Sequence, residues 1–141
     1  MRRPQGEDGN ALVEFTYLAV LLMVPLVYVL LSVFQVQRAA FGVTEAARQA
    51  GRAYVRAPDS AAAAERARLA SDLALADQGL SGAAAPEILD PTGLAPGGQV
   101  VVTVRWTVTL PVLGLLPDRI EPRIPVSARH VEVVDAFRAA R

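Results

Sequence analysis

The sequence has no cysteine and no lysine, and it has one histidine and one tryptophan in 141 residues. The absence of cysteine excludes disulfides, thiolate chemistry and cysteine-ligated metal sites. The compartment stays open, because an exported domain need not contain disulfides. The 14 basic residues, all arginine, are matched by 14 acidic ones. Such a balance creates no strong field for a polyanion, so we expect no nucleic-acid partner.

Residues suited to catalysis are also scarce. His130 lies in a predicted strand near Glu132, and a lone strand histidine is typical of a solvated or hydrogen-bonded surface residue. The glycines of the stretch Ala95 to Gly98 precede a strand instead of following one, which is turn chemistry and not a phosphate-binding loop. We therefore expect no enzymatic activity, no cofactor and no metal site.

Charge is missing from one long stretch. Between Glu14 and Arg38 there are 23 residues without a charged side chain. As a helix they span about 34 Å, which is enough to cross a bilayer. A secretory signal has a shorter apolar core and a small-x-small cleavage site, and the stretch Ala40 to Gly42 is a poor version of one. We expect the helix to be retained as a membrane anchor.

Charge counting does not supply the orientation of this helix. Two arginines precede the apolar run, and four follow it within twenty residues: Arg38, Arg48, Arg52 and Arg56. The positive-inside rule alone would therefore place the C-terminal side in the cytoplasm.

The pattern predicts two helices. One runs from about Ala11 to Val55, apolar all round at first and amphipathic later, with Pro25 as a kink. The spacing of Ala47 and Gly51 either lets another helix approach closely or simply reflects an alanine-rich composition. A second helix is predicted for Ser60 to Gln78. Its expected core stripe consists of Leu69, Leu73, Ala76 and Leu80.

The C-terminal part predicts strands. Residues Gln99 to Leu110 alternate strictly, with valines, Trp106 and Leu110 on one face. We expect Trp106 to anchor the small core. A return strand is predicted from about Val126 to Val134, after an irregular connection that contains Pro117, Pro122 and Pro125, and a short extended segment is predicted at 87–89. The expected fold is α+β: a transmembrane helix continuing into an amphipathic helix, a second helix, and a small antiparallel hairpin or sheet.

The start of the chain carries the most specific pattern. A short polar leader ends at Gly9, and Glu14 and Phe15 stand at the opening of the apolar run. A carboxylate at this depth costs a few kcal/mol if it enters hydrocarbon, so we expect it to have a partner or a function. The stretch resembles the type IV prepilins, and more closely the TadE-like pseudopilins of the tight-adherence (Flp) pilus system, which carry a Glu-Phe or Glu-Tyr pair here. The resemblance covers residues 9 to about 57 and is only architectural beyond them.

This resemblance implies that a membrane prepilin peptidase cuts after Gly9, so that the mature chain begins at Asn10. It assigns Glu14 and Phe15 to peptidase recognition and assembly. It also implies four parts: a leader at 1–9, a transmembrane helix at 10–37, a helical extension at 38–57 and an exported α+β domain at 58–141. The expected location is the cytoplasmic membrane, with the C-terminal domain outside and possible incorporation into a pilus. The expected partners are the membrane, the peptidase, other pilins and the assembly machinery.

Two alternatives remain at this stage. The chain can be an uncleaved single-pass envelope protein that acts as a binding module, in which case Glu14 is an interfacial carboxylate that favours the positive end of the helix. The other alternative, an anchored enzyme, has no supporting group of residues.

Overall fold

A computed structural model describes residues 7–82, 85–110 and 122–137, with side chains from Ala11 onward. Two helices, α1 (Glu7–Val55) and α2 (Ser60–Asp77), precede three strands: β1 (Glu87–Leu89), β2 (Gln99–Thr109) and β3 (Arg123–Val133). The strands form one antiparallel sheet in the order β1-β2-β3. The predicted α+β class, with a long N-terminal apolar helix and a small antiparallel sheet, is confirmed.

Two compact units make up the chain, Met1–Phe34 and Gln35–Arg141. The first contains the apolar part of α1, which passes through Pro25 without interruption. Its apolar side chains are exposed on every side of the helix, and an 18-residue window here has a mean hydropathy of 2.5 with no buried residue. This segment is long enough and apolar enough to cross a membrane.

The second unit has a core made largely of small side chains. From Ala39 onward, α1 buries one face at spacings of three and four, as predicted for an amphipathic helix. The buried residues of this face include Ala39, Val43, Ala46, Ala47, Ala50 and Tyr54. The sheet contributes the buried valines of β2, which are Val100, Val102, Val104 and Val108. Alternation along β2 is therefore confirmed.

Helix α2 begins where predicted but buries a different face. Its N-cap is Asp59, whose carboxylate accepts the backbone N–H of Ala62 at 2.8 Å. The buried residues are Ala63, Ala67, Ser71, Ala74 and Leu75. Of the predicted stripe only Leu80 is buried, while Leu69 and Leu73 are 54% and 65% exposed. The prediction was wrong because the buried face of α2 is formed mainly by small residues together with Leu75, and this close packing leaves Leu69 and Leu73 outside.

Two expectations about the sheet also need correction. Trp106 lies on the core-facing side of β2 but is only partly buried, so the valines, not the tryptophan, form the centre of the core. Strand β3 begins at Arg123 and includes Pro125, which was expected in an irregular connection. Proline fits here because β3 pairs only with β2 among the described strands, and an edge strand has positions at which no N–H is needed.

Candidate functional site

The predicted processing site lies in the first turns of α1. The helix begins at Glu7, four residues earlier than predicted, so Gly9 and Asn10 have helical backbone, while the side chain of Asn10 lies outside the described part. A protease that binds its substrate extended must open this first turn before it can cut after Gly9. Cleavage after Gly9 would therefore require local unwinding of about one turn.

Glu14 lies two turns inside α1 and is exposed. The favourable effect of the helix N-terminus on a carboxylate decays within the first turn, so in the uncleaved chain it gives Glu14 little stabilisation. No basic side chain lies within ion-pairing distance of Glu14 in the part of the chain that the structure describes. Removal of residues 1–9 would bring the helix N-terminus and a new amino group to Asn10, one turn away on the same face.

Two aliphatic hydroxyl groups in the apolar segment have partners within the helix. The Thr16 hydroxyl donates to the Leu12 carbonyl oxygen at 2.8 Å, and the Ser32 hydroxyl donates to the Tyr28 carbonyl oxygen at 2.9 Å. These bonds satisfy the hydroxyls inside the helix itself. Phe15, beside Glu14, is 70% exposed. Glu14 is thus the polar group of this segment that most requires a partner from outside.

The second unit holds a polar link between α1 and the turn after β1. The carboxylate of Asp90 accepts the N–H and hydroxyl of Thr92 and the N–H of Leu94, at 2.8–3.0 Å. It also interacts with the hydroxyl of Tyr54, in the last turn of α1. Burial and then the Asp90 charge raise the pKa of Tyr54. Burial, the largest influence, raises the pKa of Asp90, but the hydrogen bonds from Thr92, Leu94 and Tyr54 together hold that pKa below its ordinary value.

His130 and Glu132 form a pair beneath α1. Nε2 of His130 lies 2.9 Å from Oε2 of Glu132, and both side chains are less than one third exposed. A Cβ placed on Gly51 would lie 3.2 Å from Cδ2 of His130 and 3.8 Å from Cγ2 of Val102. Gly51 therefore lets α1 pack against the sheet of its own chain, where the sequence had suggested another helix or no specific contact. His130 is hydrogen-bonded, as expected, but it lies on the core-facing side of the sheet.

These polar groups form structural contacts. No group of three or more histidine, aspartate or glutamate side chains suited to a metal ion occurs within residues 7–82, 85–110 and 122–137. The sequence contains one signal for the Asp90 link, since Asp-Pro-Thr-Gly at 90–93 is a turn pattern in which an aspartate accepts N–H groups from the residues that follow. Nothing in the sequence connects Tyr54 with it.

Comparison of the chain with known protein families, with curated proteins and with solved structures finds no match.

Proposed function

We propose that this chain is a minor pseudopilin or pilus-assembly component of a Tad/Flp-type pilus, cut after Gly9 by a prepilin peptidase and retained in the cytoplasmic membrane by α1. The observation that carries the proposal is the placement of Glu14, a carboxylate without a described partner in an exposed apolar helix and four residues after Asn10. An isolated charge in hydrocarbon is unfavourable, so the position requires a partner.

Cleavage supplies that partner. The new α-amino group of Asn10 lies one turn from Glu14, and it compensates the carboxylate within one subunit or between neighbouring helices. The same pairing sets the axial register of helices that associate laterally during assembly or initiation. Phe15, exposed beside Glu14, presents a large apolar surface to the peptidase or to a neighbouring pilin.

The architecture supports this proposal at a coarser level. A single helix joins the exposed apolar segment to a small domain in which α1 packs on a three-stranded sheet. In the proposed topology the α+β domain, residues 58–141, lies outside the membrane and the partners are other pilins and the assembly machinery. The chain acts as a substrate and structural component, not as an enzyme.

Substitution of Glu14 tests the assembly role. Glu14→Val should still insert, but its cleaved molecules, identified by intact mass, should fail to enter assemblies with wild-type pilins, as measured by co-purification from peptidase-expressing cells. Thr16→Val is the matched control, because it also removes a polar group from the segment but leaves the charge, and it should co-purify normally. Normal incorporation of Glu14→Val would remove the proposed register function.

One observation favours the alternative, an uncleaved single-pass envelope protein that acts as a binding module. The bond after Gly9 lies inside α1 and not in an extended leader. In that case Met1 to Gly9 would remain on the chain in the presence of an active peptidase, and this outcome separates the two functions.

A further inference from the structure

Among the described residues, no strand pairs with the edge of β3 that lies away from β2, and this edge offers backbone groups for hydrogen bonding. At one end of the β2–β3 pair, the N–H of Leu110 donates to the carbonyl oxygen of Pro122 at 3.0 Å. At the other end, the N–H of Val134 donates to the carbonyl oxygen of Gly98 at 2.8 Å. The register between these points is unbroken. Even-numbered residues of β3 therefore bond to β2, and odd-numbered residues direct their N–H and C=O groups away from it.

Pro125 occupies one of these outward positions, so it removes no hydrogen bond between β2 and β3. Because proline has no N–H, an added strand cannot accept a hydrogen bond from this part of the edge. The rest of the edge, residues 127–133, contains no proline. Within the described ranges, the outward backbone groups of Ser127, Arg129, Val131 and Val133 have no hydrogen-bond partner. They can accept one further strand of about seven residues.

The side chains beside this edge specify the chemistry of such a strand. On the sheet face away from α1, Leu89, Val101 and Val131 lie side by side across the three strands. Leu89 and Val131 are 62% and 46% exposed, and Val133 is 56% exposed. A fourth strand with apolar residues opposite Val131 and Val133 would extend this row and cover it.

Arg129 adds a charge preference. It is exposed and points to the same face as Val131, one outward position earlier, and it has no acidic partner among the described residues. By contrast, Arg105 on that face is already paired with Glu87. An acidic residue opposite Arg129 therefore complements the edge, and a basic one does not.

We propose that β3 binds, by strand addition, an extended segment of another protein that carries apolar residues opposite Val131 and Val133 and an acidic residue opposite Arg129. This goes beyond the proposed function, which assigns no contact to the sheet. A second copy does not supply this chemistry, because the odd-numbered residues of its β3, which lie on this face, include no acidic side chain.

The test uses the full chain in detergent micelles and a fluorescent seven-residue peptide capped at both ends. The peptide has valine opposite Val133 and Val131, glutamate opposite Arg129, and serine or threonine elsewhere. We expect saturable binding by fluorescence anisotropy. Methylating the peptide amides that face β3 should abolish binding, whereas methylating those that face away should preserve it. Equal binding of the two methylated peptides, or no saturable binding of the parent peptide at millimolar concentration, would overturn the proposal.

Protein variants locate the site. Val131→Pro removes an outward N–H and leaves the β2 ladder intact, as Pro125 does, and should weaken binding about tenfold. Arg129→Glu should weaken binding about fivefold at low salt, and a peptide with lysine in place of glutamate should restore it. Arg66→Glu, on the exposed face of α2, is the matched charge control and should bind normally.

A cysteine variant tests the competing occupant. Because the native chain has no cysteine, Val131→Cys gives a single thiol. We expect it to remain monomeric under mild oxidation in membranes. Efficient formation of a disulfide-linked dimer would identify a second copy as the occupant and contradict the proposal. None of these measurements depends on cleavage after Gly9, so their failure is distinguishable from failure of the proposed function.

Discussion

Gly51 offers the sharpest test of how α1 packs on the sheet. A Cβ at this position would lie 3.2 Å from His130, 3.4 Å from Glu132 and 3.8 Å from Val102. Gly51→Ala fits with shifts of a few tenths of an ångström and gains about 1 kcal/mol in helix propensity, so its net effect should be near zero. Gly51→Leu adds three further carbons to a filled space.

Overpacking of a core costs about 1–3 kcal/mol, and the upper value applies here because even the Cβ is close to its neighbours. After the gain in helix propensity, the net loss for Gly51→Leu is about 2 kcal/mol. For a domain of roughly 100 residues this lowers Tm by about 10 °C. Trp106 is the single tryptophan and lies partly buried on the core-facing side of β2, so its fluorescence reports the unfolding.

Arg48→Leu is the matched control, since it introduces the same side chain on the exposed face of α1. It should melt within a degree or two of the wild type. If Gly51→Leu also melts with the wild type, α1 does not pack on Val102 and His130, and the account of the core is refuted.

Three further predictions concern stability. Asp90→Ala should lower the free energy of unfolding by about 1–3 kcal/mol at neutral pH, because it leaves two N–H donors and the Tyr54 hydroxyl without their acceptor. The folded-state pKa of Asp90 is lowered, so its contribution should be lost as pH falls below about 3.9; the raised pKa of Tyr54 predicts a separate loss as pH rises above about 10. Ser71→Ala should raise stability by about 1 kcal/mol, because the buried hydroxyl has no hydrogen-bond partner among the described residues. In thermal melts Ala67→Gln should lower Tm strongly and Leu73→Gln hardly at all, because Ala67 is buried and Leu73 is exposed. A large loss for Leu73→Gln and none for Ala67→Gln would show that the leucine face of α2 packs in the core.

The elements with strong periodicity were predictable from the sequence. The amphipathic part of α1 and the strict alternation of β2 each follow from side-chain positions on one element. The buried face of α2 was not predictable from the sequence. Hydrophobicity ranks Leu69 above Ala67 as a core residue, but the space beside the helix admits only the smaller side chain. The start of β3 was missed because Pro125 looks like a break unless its outward N–H position is known.

The candidate site also has residues that the sequence predicts and contacts that it does not. Gly9, Asn10, Glu14 and Phe15 were chosen from the sequence, and the structure adds that the bond after Gly9 lies within a helix. Contacts between distant parts of the chain could not be read from any local pattern. The interaction of Tyr54 with Asp90 is one such contact.

The intact mass of the membrane-extracted protein decides whether Gly9 is a peptidase substrate site. The protein should be expressed with an active prepilin peptidase and, in parallel, with a catalytically inactive one. The active enzyme should remove Met1 to Gly9 from the wild type, leaving Asn10 as the first residue, whereas Gly9→Leu should keep its full length. A wild-type mass that is the same with the active and the inactive enzyme would contradict cleavage after Gly9.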